Sequence, residues 1–183
     1  MGDSYQKIVD RIVTLEDAEA KVNLVKTWLV DKKIILPDIS DCTLGDEGGC
    51  PPGPNYTYAA ESSSEILFML KDKGVSIESG PQWVLDPRAG RYDMICTDCN
   101  SRHQAKEECF EAIDTWMEEM QDVQIACPGC SRQKFMREWD FDPPIAIGCF
   151  AVTFWNWPPL KESFIKELEN IIGNKVVYVS GKY

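Results

Sequence analysis

Two cysteine pairs carry the most specific chemistry in the sequence. Cys96-Thr-Asp-Cys99 is followed, after 27 residues, by Cys127-Pro-Gly-Cys130. Two cysteines three apart can wrap one tight turn and present both sulfurs to one ion. Two such turns supply four thiolates near tetrahedral angles, which suits a structural zinc with metal–sulfur bonds of about 2.3 Å. The backbone at each turn must also point N–H groups at the thiolates. Asn100 tolerates a left-handed conformation better than most residues, and Gly129 tolerates nearly any. Strand-like segments at 91–95 and 123–126 precede the two turns, as expected of knuckles on β-hairpins. We therefore expect one structural Zn2+ held by Cys96, Cys99, Cys127 and Cys130. Iron uses a similar ligand set. A redox pair normally occurs once, ahead of a helix, and neither pair here heads an obvious helix.

The CxxC–linker–CxxC pattern resembles that of zinc ribbons, and it covers roughly a quarter of the chain. Its linker is longer than in the commonest ribbons and contains a predicted helix, which departs from simple ribbon topology. His103, the only histidine, lies four residues after Cys99. Four thiolates already fill the site, so it is expected at the surface beside the knuckle. Cys109 and Cys149 fall in a predicted helix and an apolar strand, where cysteine packs as a small hydrophobe. Cys42 and Cys50 flank residues 43–49 and could clip that loop. No second pair accompanies them.

Catalytic motifs are missing. The sequence contains no GxSxG, P-loop, GxGxxG or HExxH. One histidine rules out mechanisms that need two. A zinc filled by four thiolates leaves no position for a catalytic water. The balance leans away from an enzyme.

The whole chain sets the context for that site. Its 183 residues, 44% hydrophobic, suit one domain or one domain with a small insert. The net charge of −11 repels phosphate backbones and anionic lipid and favours a basic protein partner. Asp3 stands where a signal peptide would carry positive charge, and no apolar stretch follows it. The longest apolar run, 145–155, is too short to span a membrane. The expectation is a cytoplasmic protein with no membrane segment, where close cysteine pairs are metal ligands rather than disulfides.

Several elements must position the cysteines. Residues 1–13 fit either a helical face or a strand. Thr14 is an N-cap with Asp17 three residues on. Leu15, Ala18, Val22, Val25 and Leu29 then predict a helix over 15–31. A short strand is expected at 32–36 and a loop over 37–58, since its Gly- and Pro-rich run sustains no helix or inner strand. A short helix capped by Ser63 or Ser64 should run to Lys73, with Ile66, Leu67 and Leu70 on its face. Strands are expected at 75–78 and 82–85. Between the cysteine pairs, Phe110, Ile113, Met117 and Met120 form an apolar stripe opposite Glu107, Glu111, Asp114 and Glu118. The run 145–155 reads as a strand buried on both faces. A helix follows Pro158 and Pro159, carrying Phe164, Leu168 and Ile171 and ending at Gly173. A strand at 176–179 should pair in parallel through a right-handed crossover.

The predicted fold is α+β: a mixed sheet flanked by helices, with a core of 1–90 and 140–183 and a zinc-ribbon-like insert with a helical linker at 91–139. The predicted function is a small protein-interaction module with an acidic surface. One alternative is an enzyme with a pocket between loop 37–58 and Trp155–Trp157, where two tryptophans two apart would share one side of the sheet; the preferred reading of these tryptophans is an aromatic corner that closes the core. Another is a weak nucleic-acid-binding ribbon using Arg102, Lys106, Arg132, Lys134 and Arg137. Nucleic acid is disfavoured, because eleven acids face those five bases between Asp93 and Asp140.

Overall fold

The computed structural model describes residues 2–45 and 47–182, so Asp46 of the Gly-rich loop lies outside it. Strand β1 (Ser4–Asp10) resolves the ambiguous N-terminus, and helix α1 (Leu15–Asp31) follows it. Thr14 caps α1 as its side chain predicts: its Oγ1 accepts the Asp17 N–H at 3.2 Å and lies 3.0 Å from the Asp17 carboxylate. Ala18, Val25 and Leu29 form the buried face, whereas Leu15 is exposed. Residues 32–36 make only an isolated bridge from Ile35 to Pro52. The helix expected before Gly74 is a single 3-10 turn at Ile66–Met69, with Leu67 alone buried. One buried side chain in four residues is too little to hold a longer helix in water.

Strand β2 (Val75–Leu85) joins the two short strands expected there. It continues through a bulge, where Gly80 and Pro81 oppose a single residue of the neighbouring strand. Next come β3 (Asp93–Ile95), β4 (Arg102–Gln104), α2 (Glu107–Glu119), β5 (Gln124–Ala126), β6 (Gln133–Phe135) and β7 (Asp140–Asp142). Then β8 (Ile145–Trp155) runs through the core with every residue buried, as its composition predicts. Helix α3 (Glu162–Ile172) ends on Gly173 at φ +83°, and β9 (Val176–Lys182) closes the chain.

The class is α+β, with the main sheet in the order β2-β8-β1-β9 and every pairing antiparallel. β8 and β9 run in the same direction, as a strand–helix–strand unit requires. They are not neighbours, because β1 lies between them. β1 and β2 are likewise separated by β8. Two interleaved βαβ units of this kind are the ferredoxin-like split arrangement. It escapes a local reading because each unit is completed by a strand from the other.

Both long crossover helices lie on one face, where Trp28 of α1 stacks on Phe164 of α3 at 5.8 Å. The other face is closed by the sheet itself. Beyond the bulge, the β2–β8 ladder curls back, so that Val84 and Ala146 join Tyr5, Val9 and Trp155 in a second apolar cluster. Tyr5 Oη donates to the Leu85 carbonyl at 2.6 Å.

Trp155 and Trp157 point to opposite sides of the sheet, contrary to the spacing argument. Trp155 belongs to the curled face, and Trp157 packs edge-on to Phe154 at 5.1 Å in the helical core. The cause is Asn156, whose φ of +57° turns the chain over between them. Its side chain accepts the Ser4 N–H at 2.8 Å and donates to the Asp72 carbonyl at 2.6 Å. Both tryptophans are therefore filled core, as the aromatic-corner reading expects, and the alternative groove is not formed there.

Replacing Asn156 with Ala removes these hydrogen bonds, together with one to the Asp3 carboxylate and one from the Ser4 hydroxyl, and leaves a residue poorly suited to the left-handed region. We expect a loss of about 2–3 kcal/mol of stability in chemical denaturation. A loss below about 0.5 kcal/mol would show that the turn forms without the asparagine.

Candidate metal centre

Each cysteine pair sits at the tip of a hairpin, β3–β4 for the first and β5–β6 for the second. The two tips have the same backbone design. Cys96 N–H donates to the Ser101 carbonyl at 3.0 Å, and Asn100 N–H to the Cys96 carbonyl at 2.8 Å. In the second tip, Cys127 N–H donates to the Arg132 carbonyl at 2.8 Å, and Ser131 N–H to the Cys127 carbonyl at 2.7 Å. The left-handed residue is Asn100 at φ +56° in one and Ser131 at φ +61° in the other. Asn100 takes the expected role. Gly129 does not, and it is needed for space instead: a Cβ there would lie 2.5 Å from Ser101 Oγ. Its N–H points at the Cys127 sulfur at 3.3 Å.

The four sulfurs lie within 4.8 Å of one another. Cys96–Cys130 is 3.9 Å and Cys99–Cys127 is 3.7 Å. A tetrahedron with metal–sulfur bonds of about 2.3 Å has edges of about 3.8 Å. The donor set thus fits a zinc-sized ion with soft-ligand preference, and all four corners are sulfur. Cys96 and Cys127 are buried while Cys99 is exposed, so the cluster opens on one side only.

The surroundings favour negative charge on sulfur. Ser101 Oγ lies 2.9 Å from Cys99 and 3.2 Å from Cys127. This hydroxyl is the main reason that the Cys127 thiol is held down to about 5, and it also lowers Cys99. Cys130 moves the other way. The Arg132 backbone N–H favours its thiolate, but desolvation and the neighbouring sulfurs outweigh that and push it to about 11. Four thiols this close do not all ionise on their own. His103 Nε2 touches Ser101 Oγ at 2.9 Å and stands 4.0 Å from the Cys127 sulfur. It lies beside the knuckle, as expected, half-buried rather than free at the surface.

A buried lysine braces the centre. Lys134 of β6 is nearly covered and pairs with Asp98, inside the first CxxC, at 2.7 Å. Arg132 reaches the same carboxylate at 3.3 Å. These bridges tie one hairpin tip to the other, and Lys134 holds the Asp98 carboxyl below its usual range. Sequence reasoning missed Ser101 and Asp98, and it named Lys134 only as a base for nucleic acid. The one available signal was the serine two residues beyond Cys99.

Helix α2 packs through Cys109, Ala112, Ile113 and Trp116, with Met120 exposed at its left-handed end. The expected stripe is rotated because Trp116, the largest apolar side chain in the segment, takes the inside. Glu107, Glu111, Asp114 and Glu118 are exposed, as predicted. Cys42 and Cys50 are buried free thiols. Cys42 donates to the Gly49 carbonyl at 3.3 Å instead of forming a disulfide. No helix among the described residues is long and apolar enough to cross a membrane. A cavity of about 490 Å³ lies beside the centre, lined by Met94, His103, Lys106 and Trp139.

Ser101→Ala removes the hydroxyl that two sulfurs share, and Gly129→Ala pushes a methyl group into it. Both substitutions should weaken zinc binding about 10–100-fold, measured by competition with a chromophoric chelator. Equal affinity in wild type and both variants would remove Ser101 from the site's support. No family model matches this chain, and neither does any curated protein or solved structure.

Proposed function

We propose that Cys96, Cys99, Cys127 and Cys130 bind one structural Zn2+, and that the ion stabilises residues 91–139 as an insert in the α+β core of 1–90 and 140–183. On this reading the protein is a cytoplasmic interaction module whose acidic surface binds a basic protein partner. The observation that carries the metal is the near-tetrahedral spacing of four sulfurs from two distant turns. A complete thiolate set leaves no coordination position for substrate or water, which favours a structural role.

The electrostatics support a protein partner over nucleic acid. Of the five cationic residues near the metal, Arg102 pairs with Asp142 and Asp93, and Arg132 and Lys134 pair with Asp98. Arg137 pairs with Asp122. Charges already neutralised by carboxylates contribute little to phosphate binding. The acidic face of α2 has no such partners within its own helix. The buried positions of Trp155 and Trp157 also withdraw support from the pocket expected beside them.

Elemental analysis of protein purified without added metal should give about one zinc per chain. Chelation should lower the melting temperature, and Cys127→Ser should do the same without chelator. A metal-free preparation with an unaltered melting curve would refute the structural role. Affinity purification from the native host should recover a stoichiometric basic protein. Recovery of none would count against the interaction module while leaving the metal untouched.

A further inference from the structure

We propose that the free edge of β2 at Ile77–Ser79 receives one extended segment of a basic protein as an added strand. This rests on the basic-partner reading above and names the surface that such a partner would use.

The edge is open for a geometric reason. β2 is the outer strand of the main sheet, and its backbone groups alternate between β8 and the outside. The Gly74 carbonyl accepts the Trp155 N–H, so the even-numbered residues from 74 to 78 face β8. The odd-numbered ones face away. Val75 exchanges both of its outward hydrogen bonds with Cys50, at 2.9 Å each. The same alternation turns the N–H and C=O of Ile77 and Ser79 outward, and no backbone group among the described residues meets them. The open stretch ends at the bulge, where Pro81 has no N–H to offer.

The protein's own chain begins this fifth strand and then leaves it. Cys50 holds the first position. Residues 49 and 48 would continue along β2, but the loop turns off at Gly48, whose φ is +68°. Both glycines sit against other backbone: an added Cβ would lie 2.6 Å from the Ser40 carbonyl at Gly48 and 2.8 Å from the Val75 carbonyl at Gly49. The loop is therefore held in a course that leaves the line of the strand empty. A groove of about 340 Å³ remains, with Glu19 and Val22 of α1 on one side, Ile39, Leu44 and Glu47 on the other, and Ile77 on its floor.

The walls indicate the occupant. Ile39 and Leu44 are 63% and 40% exposed, so they can cover apolar side chains that alternate along an extended segment. Glu19, Glu47 and Glu78 outnumber Lys26 in the lining, so the groove is acidic on balance, in a chain of net charge −11. A second copy paired through this edge would oppose like charges, whereas a basic segment meets opposite ones. The far edge, β9, is bounded by Lys175 and ends on Lys182, side chains that discourage strand addition. Addition of a strand to an exposed edge takes its affinity from main-chain hydrogen bonds and its selectivity from alternate side chains.

Fluorescence anisotropy on the full metal-loaded chain tests this with a labelled octapeptide of alternating lysine and valine. We expect saturable binding. Methylation of alternate backbone nitrogens keeps the charge but removes the ladder, and should weaken binding at least tenfold. An alternating glutamate–valine peptide should not bind. Ser79→Pro blocks one outward N–H at an exposed position and should also cost at least tenfold, with melting temperature and zinc content checked alongside. Should that variant be unstable, Glu19→Lys with Glu47→Lys tests the rim and should weaken binding severalfold. Equal binding of the methylated peptide overturns the proposal, since charge alone would then explain it. So does a dimer seen by sedimentation that Ser79→Pro abolishes. A basic partner recovered equally by wild type and Ser79→Pro would sink the edge and leave the basic-partner reading standing. Failure to recover any basic partner would sink that reading itself.

Discussion

Four sulfur atoms within 4.8 Å of one another impose the strictest condition on this molecule. They cannot all carry charge unless a cation lies among them, and as neutral thiols they have little reason to converge. Two hairpin tips, 27 residues apart in sequence, are brought to this one place. Most of what surrounds the cluster serves the same condition. Ser101 shares its hydroxyl between two sulfurs, Gly129 makes room for Ser101, and Lys134 carries positive charge to Asp98 within the first turn. Each hairpin is only three residues a side. Strands that short are marginal in isolation, so the cross-tip ties decide whether they hold their shape.

The cluster is not an appendage. Cys96, Cys109, Trp116 and Trp139 belong to the same apolar cluster as Ile145, Cys149 and the residues under α1 and α3. β7 pairs with β3 of the first cysteine hairpin and leads within two residues into β8, the central buried strand. Disorder at the cysteines would therefore be transmitted to the start of β8 through packed side chains and a short covalent link. Arg11, just beyond β1, strengthens the junction by reaching Asp140 at 2.8 Å and the Trp139 carbonyl at 3.1 Å. A metal that holds the ribbon would on this account contribute to the order of the sheet as well.

The sequence was most informative where a local rule decides the outcome. Coordination chemistry fixes the CxxC spacing, so the cysteines were legible. Helix α1 was legible from Thr14 and its spacing, and β8 from an apolar run with no polar phase. Strand order was not legible, because the neighbours of β1 are set by two crossovers that interleave. The reversal at Asn156 was hidden for a related reason. An asparagine between two tryptophans is compatible with a strand, and its contacts with Asp3, Ser4 and Asp72 hold it in the left-handed region. Ser131 was missed because serine carries no turn signal of the kind glycine does. Aligning the two knuckles places it opposite Asn100, which is the comparison that would have found it.

The same physics explains why an acidic protein can keep a lysine almost buried beside its cysteine cluster. Four thiolates around one divalent ion leave a net charge of about −2. Lys134 and Arg132 would offset that charge through Asp98, which is itself negative, so the arrangement would be a chain of alternating signs rather than one ion pair. Such a chain is satisfied internally and has little charge left for a ligand. At the β2 edge the situation is reversed. Among the described residues, the Glu19 carboxylate accepts from the Ser79 hydroxyl, and the main-chain groups of Ile77 and Ser79 face outward with no ladder partner. Unbalanced charge and unpaired backbone coincide there, next to apolar side chains that the chain leaves uncovered. Where a fold closes its cysteine cluster with internal ion pairs yet leaves one sheet edge unfinished, the unfinished edge is the stronger candidate for recognition.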